Sequence, residues 1–241
     1  MPAESKRQLL EDLSQRIAAL EASARPDHSL PVNLGIPALE ALLPARQLAP
    51  GSLVELLSSG GGAGAWSLAL FLARNACGSK KVLVVVDGTL CFYPPAAATL
   101  GIDLKRLIVI HPRNAADVAL AIDQSLRCQA VGSVIGWYDR LTSSAFRRLQ
   151  LAAEGGGGVG LLLRPLASRR APSFAALRLL VTPETGADTP LRRVRLEALR
   201  CRGGRSGQTI IVEIDDATGD VRLAAGLATA TTGTRSARAA Q

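Results

Sequence analysis

The chain has 241 residues, 48% of them hydrophobic, and a formal net charge of +8. That is enough apolar material for one sizeable α/β core with short appendages, and too little length for a second full domain. No run reaches the roughly 18 consecutive apolar residues of a membrane span, and the charged start (Glu4, Lys6, Arg7, Glu11, Asp12) is unlike a signal peptide, so a cytoplasmic protein with no membrane partner is expected.

Leu10, Leu13, Ile17 and Leu20 recur at helical spacing on an otherwise charged segment, which predicts an amphipathic helix with a narrow apolar stripe. The stripe is either a partner-binding surface or a strip that folds back on its own core. Arg25-Pro26-Asp27 ends the helix, so residues 1–28 form a helix and linker, 29–224 the core, and 225–241 an Ala/Thr/Gly/Ser-rich tail. The composition of that tail predicts disorder.

In the core, Leu34 to Leu43 reads as a turn followed by a short amphipathic helix. Ser52 to Leu57 reads as a strand, Ser58 to Ser67 as a glycine-rich loop, and Leu68 to Ala73 as a helical run. Strand, glycine loop and helix form the context in which backbone N–H groups cradle phosphates, a Lys reaches the β- and γ-phosphates, and a Ser/Thr holds Mg²⁺. Gly60, Gly61, Gly62 and Gly64 supply the glycines. Ala65 then falls at the Lys position and Trp66 at the metal-ligand position, and neither side chain performs the task. A glycine run by itself also fits an ordinary strand-to-helix connection. Lys81 to Asp87 is a β-branched run of the kind buried on both faces of a parallel sheet. Further strands are expected at Ala130 to Tyr138, Gly158 to Pro165, Thr209 to Ile214 and Val221 to Leu223, the last two joined by a turn at Asp215 to Asp220.

Spacing around the loop resembles the RecA-type recombinase core, through Leu48-Ala49-Pro50-Gly51-Ser52-Leu53-Val54-Glu55 ahead of it and Asp87 to Asp103 behind it. The resemblance implies a mostly parallel twisted α/β sheet with helices on both faces and, from Arg193 to Leu223, an antiparallel extension. It also implies that Thr89 stands where a water-activating Glu belongs and Trp137 where the Walker-B Asp belongs; Arg164 is the nearest candidate for a nucleotide-sensing group. Phosphoryl transfer rests on positioning and charge neutralisation, so this set predicts a protein that is not an enzyme and takes no cofactor. Trp66 and Trp137 are expected on neighbouring strands, their indoles filling the nucleotide volume.

The emptied loop, Trp137 to Glu154, Gly160 to Pro165, Leu196 to Arg205 and Val212 to Gly219 together resemble the ImuA family of bacterial translesion-synthesis cassettes. That resemblance implies an accessory protein in damage-induced mutagenesis, beside an inactive Y-family polymerase subunit and an error-prone replicative-type DNA polymerase, with RecA and DNA as further candidate partners. In this family the tail can also bind a partner. A SulA-type division inhibitor and a cryptic ATPase are the competing readings.

Between Arg164 and Arg205 stand ten arginines against three acids (Glu184, Asp188, Glu197), a local excess of seven positive charges. Arg164, Arg169, Arg170, Arg202 and Arg205 are the candidate DNA contacts, acting on phosphates without sequence preference. The competing reading is a solvated strand face, because Arg193, Arg195 and Glu197 alternate with Val194, Leu196 and Ala198. Cys77, Cys91, Cys128 and Cys201 lack C-x-x-C spacing and are expected to be buried free thiols with no metal. His28 and His111 belong to no triad-like constellation.

Overall fold

The computed structural model describes residues 31–60, 62–184 and 191–224. The stripe Leu10, Leu13, Ile17, Leu20, as well as Gly61 and the tail 225–241, lie outside the described residues.

One nine-stranded sheet organises the chain, in the order β3-β2-β4-β5-β1-β6-β7-β8-β9. Its parallel part comprises β1 (Leu53–Ser58), β2 (Val82–Val86), β3 (Leu107–Ile110), β4 (Val131–Trp137), β5 (Val159–Pro165) and β6 (Leu177–Pro183). The antiparallel extension follows as β7 (Arg192–Cys201), β8 (Thr209–Ile214) and β9 (Val221–Leu223). The helices are a single turn α1 (Pro37–Glu40), then α2 (Ala65–Cys77), α3 (Pro94–Thr99), α4 (Ala115–Arg127) and α5 (Ser143–Gly156). The amphipathic helix expected up to Leu43 shortens to α1, because Pro44 opens a separate 3-10 turn.

Both faces of the parallel part are covered, which is why its strands read as continuous apolar runs. Val54, Leu56, Leu83, Val85, Leu161 and Leu163 pack with Leu68, Phe71 and Leu72 of α2. Alternate residues, Leu53, Val84, Val86, Val134 and Leu162, pack with Ile122 and Leu126 of α4 and with Phe146 and Leu149 of α5. Gly136 allows the close approach of α4, since a Cβ there would stand 2.3 Å from Ile122 Cδ1. In β7 the buried residues Val194, Leu196 and Ala198 alternate with half-exposed Arg193, Arg195 and Glu197, so one face of the extension joins the core and the other is polar.

The cysteine expectation holds only in part: Cys201 is buried and Cys77 half-buried, but Cys91 and Cys128 are exposed. Cys91 lies in the exposed loop between β2 and α3 and Cys128 follows the last residue of α4, so neither falls at a core-facing position. Burial pushes the Cys77 thiol up to about 11, which keeps it protonated. Among the described residues no helix is long and apolar enough to cross a membrane.

Candidate functional site

The glycine loop leaves the end of β1 and enters α2 through Gly64, whose φ of 86° lies in the left-handed region. A Cβ at this position would also stand 2.7 Å from Val194 Cγ2, so backbone conformation and the approach of β7 both call for glycine. Beside the loop lies a cleft of about 210 Å³, lined by Ser58, Ala65, Trp66, Ser67, Trp137, Arg192 and loop glycines 60, 62 and 64. Ala65 is buried. Trp66 packs on Phe92, with ring centroids 6.1 Å apart. Trp137 Nε1–H donates to Asp139 Oδ1 at 2.6 Å.

Two expectations about the indoles are corrected. Both tryptophans line the cleft, but Trp66 lies in the first turn of α2 while Trp137 ends β4, and β5 separates β4 from the β1 strand that leads into the loop. The cleft also stays open rather than collapsed, because Trp66 packs against Phe92 and Trp137 is tied to Asp139.

Arg192 of β7 is one of ten arginines in a basic stretch, and no local signal in the sequence says that it reaches the cleft. Its Nη2 donates to Ser67 Oγ at 2.7 Å and to Asp216 Oδ1 at 2.6 Å. Phe92 escapes sequence reasoning for the same reason, since its contact with Trp66 arises only on folding. A magnesium nucleotide does not fit these residues. Among the described residues, the cleft lining contains neither a lysine nor a carboxylate, and its arginine is already paired. Its volume also falls below the roughly 300–1,000 Å³ of pockets that enclose small ligands.

Thr89 does not line the cleft. Its hydroxyl and backbone N–H donate to Asp87 Oδ1 at 2.9 and 3.1 Å, and Phe92 N–H donates to Asp87 Oδ2 at 2.8 Å. The carboxylate that ends β2 thus orders the loop carrying Phe92. Burial would raise its pKa, but these donors outweigh burial and hold it below the usual carboxylate range.

The basic region divides by burial. Arg164, a candidate for both DNA contact and nucleotide sensing, is 1% exposed, and its Nη1 lies 2.7 Å from Glu55 Oε1. Neither role stands: this guanidinium points into the protein because buried Glu55 needs a partner. Arg178, which faces Glu55 in the β1–β6 register, places Nε 3.0 Å from Glu55 Oε2. Its other nitrogens donate to the carbonyls of Ser168 and Ala171, at 2.6 and 3.0 Å. The pair therefore fastens the segment that crosses from β5 to β6.

On the surface, Arg193 pairs with Glu213, Arg195 with Glu184 and Arg169 with Glu197. Arg200 donates to the Ser173 carbonyl. Arg170, Arg202 and Arg205 are exposed and have no side-chain ion pair among the described residues. Arg170 closes a 3-10 turn (Leu166–Arg170) in the crossing segment, whereas Arg202 and Arg205 follow β7, at the end of the sheet away from the glycine loop.

No protein-family model matches the chain. The crystal structure of the RadB recombinase superposes with a TM-score of 0.62 at 15% identity, covering 80% of this chain and 99% of that one. Fold and cleft together define a RecA-like fold whose glycine loop carries no charged side chain among the described residues. The Protein ImuA of Caulobacter vibrioides strain NA1000 / CB15N is 29% identical over 202 residues, covering 75% of this chain and 82% of that protein; its counterpart in strain ATCC 19089 / CIP 103742 / CB 15 matches equally. The chain is thus similar to ImuA over three quarters of its length and has a RecA-like fold. A shorter stretch of 65 residues is 31% identical to the cell division inhibitor SulA of Edwardsiella piscicida, covering 27% of this chain and 39% of that protein.

Proposed function

We propose that the protein is a non-catalytic RecA-like scaffold of a translesion-synthesis complex, working in the cytoplasm beside an inactive Y-family polymerase subunit and an error-prone replicative-type polymerase. The observation that carries the reading is the cleft: Ala65 and Trp66 stand where charge and a metal ligand would be required, and the one arginine that reaches it is held by Asp216. A recombinase uses nucleotide to stabilise contacts between subunits; a chain without that site makes its contacts constitutively or with a different protein. The similarity to ImuA favours the different protein.

DNA contact in this reading falls to Arg169, Arg170, Arg202 and Arg205; Arg200 is exposed too, but donates to the Ser173 carbonyl. Partner contact falls to the apolar stripe Leu10, Leu13, Ile17, Leu20 or to the residues after Leu223. Each charge placed on such a stripe is costly to bury without a partner. The test combines Leu13→Asp and Ile17→Asp with removal of everything after Leu223. Loss of co-purification with the polymerase-like subunit is expected, and wild-type yield overturns this docking. The local SulA match gives the competing reading, a division inhibitor. Recovery of the tubulin-like division protein from damaged cells, in place of polymerase subunits, would favour it.

A further inference from the structure

On the sheet face opposite α2, a cavity of about 270 Å³ opens between α4 and α5, lined by Ala119, Tyr138, Ser144, Ala145, Arg148 and Leu149. Tyr138 follows the last residue of β4 and is only 7% exposed. Its hydroxyl is buried and has no hydrogen-bond partner. Native proteins rarely leave such a group unpaired, because its lost hydration is not replaced. Burial, reinforced by the nearby Asp123 charge, pushes the phenol up to about 12, so at neutral pH it is a proton donor seeking an acceptor.

The net charge beside the cavity is positive. Buried Asp123 accepts two hydrogen bonds from Arg127, at 3.1 and 3.2 Å, and two from Arg148, both at 3.1 Å. Two guanidinium groups on one carboxylate leave a net positive charge. Arg148 uses Nε and Nη2 on Asp123, so its Nη1 amino group is uncommitted among the described residues. The cavity therefore offers a buried hydroxyl donor and a guanidinium donor, with apolar walls from Ala119, Ala145 and Leu149.

We propose that this cavity binds the side-chain carboxylate of an acidic residue presented by a protein partner. Two donors match the two oxygens of a carboxylate, and the apolar walls match the methylene carbons that carry it. A phosphate has further oxygens, for which the lining offers only Ser144, whose hydroxyl is already bonded to Thr142, and otherwise the alanine and leucine walls. The same two helices also expose Leu120 and Leu151, apolar surface of the kind that a protein partner covers and a free metabolite does not. The inference stands apart from the scaffold reading, since it depends on neither the cleft nor the chain ends.

The chain has two tyrosines, and Tyr93 is 67% exposed. The full-length protein labelled with ¹³C at tyrosine Cζ therefore gives two resonances, one an internal reference. The probes are acetyl-Ala-Glu-Ala-amide, its Gln counterpart, succinate and inorganic phosphate. The Glu peptide should move the Tyr138 signal saturably and leave Tyr93 in place, with the other three at least about tenfold weaker, the scale of a hydrogen bond to a charged group. Tyr138→Phe and Arg148→Gln should each weaken the Glu peptide by a similar factor. Tyr138→Phe should leave the denaturation midpoint unchanged or raised, because the hydroxyl it removes has no partner. An unmoved Tyr138 signal, equal response to the Gln peptide, or tighter binding of phosphate or succinate overturns the proposal. A lowered midpoint for Tyr138→Phe overturns it too, by giving the hydroxyl a role in the fold.

Discussion

The glycine-loop cleft and the Glu55 cluster stand at two levels of the same strand, and they treat charge in opposite ways. At the end of β1, Ala65 and Trp66 leave the cleft without the side chains that phosphate chemistry needs. Inside β1, a fully buried carboxylate holds two nearly buried guanidiniums from β5 and β6. Among the described residues the cleft lining thus carries only the charge of Arg192, which Asp216 neutralises, whereas the interior cluster uses charge to fasten a crossing segment to the sheet. The comparison teaches that an arginine count along the chain is not a map of the surface: Arg164 and Arg178 belong to the interior, and only part of the basic region faces solvent.

The strongest way to break this contrast is Glu55→Ala. Two guanidiniums would be left without their only carboxylate, and removing one member of a buried ion pair costs about 3–5 kcal/mol. Urea unfolding should register that loss, and a change below about 1 kcal/mol would mean that water reaches the cluster. The same residues show what sequence patterning misses. The β-branched run at Val82–Val86 and the alternation of Val194, Leu196 and Ala198 declare their burial locally. Glu55 and Arg164 are 109 positions apart, so nothing adjacent to Arg164 distinguishes a buried anchor from a DNA contact. Strands β3 and β6 give weaker local signals, since an apolar run of four residues does not by itself separate strand from helix and Arg178 interrupts the other run. Of the cleft, the absent lysine and carboxylates are legible at fixed spacing from the glycines, while Arg192 and Phe92 arrive through tertiary contacts alone.

Acid should weaken the fold next. Burial would raise the carboxyl of Asp87, but the Phe92 N–H and Thr89 hydroxyl hold it below its ordinary 3.8. Burial likewise opposes, and Arg148 and Arg127 outweigh, the change at Asp123, which also lies below 3.8. The unfolded chain then binds more protons than the native one as pH falls. The stabilisation is present above about pH 4 and disappears as pH drops through the folded-state values. Thermal unfolding from pH 6 down to pH 2 should show a falling midpoint, and a flat profile would remove these carboxylates from the account.

A smaller effect distinguishes surface arginines from buried ones. Arg169→Ala with Arg170→Ala should weaken binding to single-stranded or forked DNA and flatten the plot of log K against log salt, by about one unit for each phosphate that an arginine no longer neutralises. An unchanged slope would assign both residues to the crossing segment alone, as Arg169 is already paired with Glu197. The smallest change is expected from Ala65→Lys with Trp66→Ser. Restoring two loop side chains leaves Thr89 and Trp137 in place of carboxylates, so this variant should still release no phosphate from ATP.

The central claim is tested most directly by phosphate release from ATP by the purified wild-type protein, with and without single-stranded DNA. The account predicts a rate no higher than that of a mock preparation, with DNA making no difference. DNA-stimulated release that follows the protein through purification and disappears with a substitution in the cleft, such as Arg192→Ala, would contradict it.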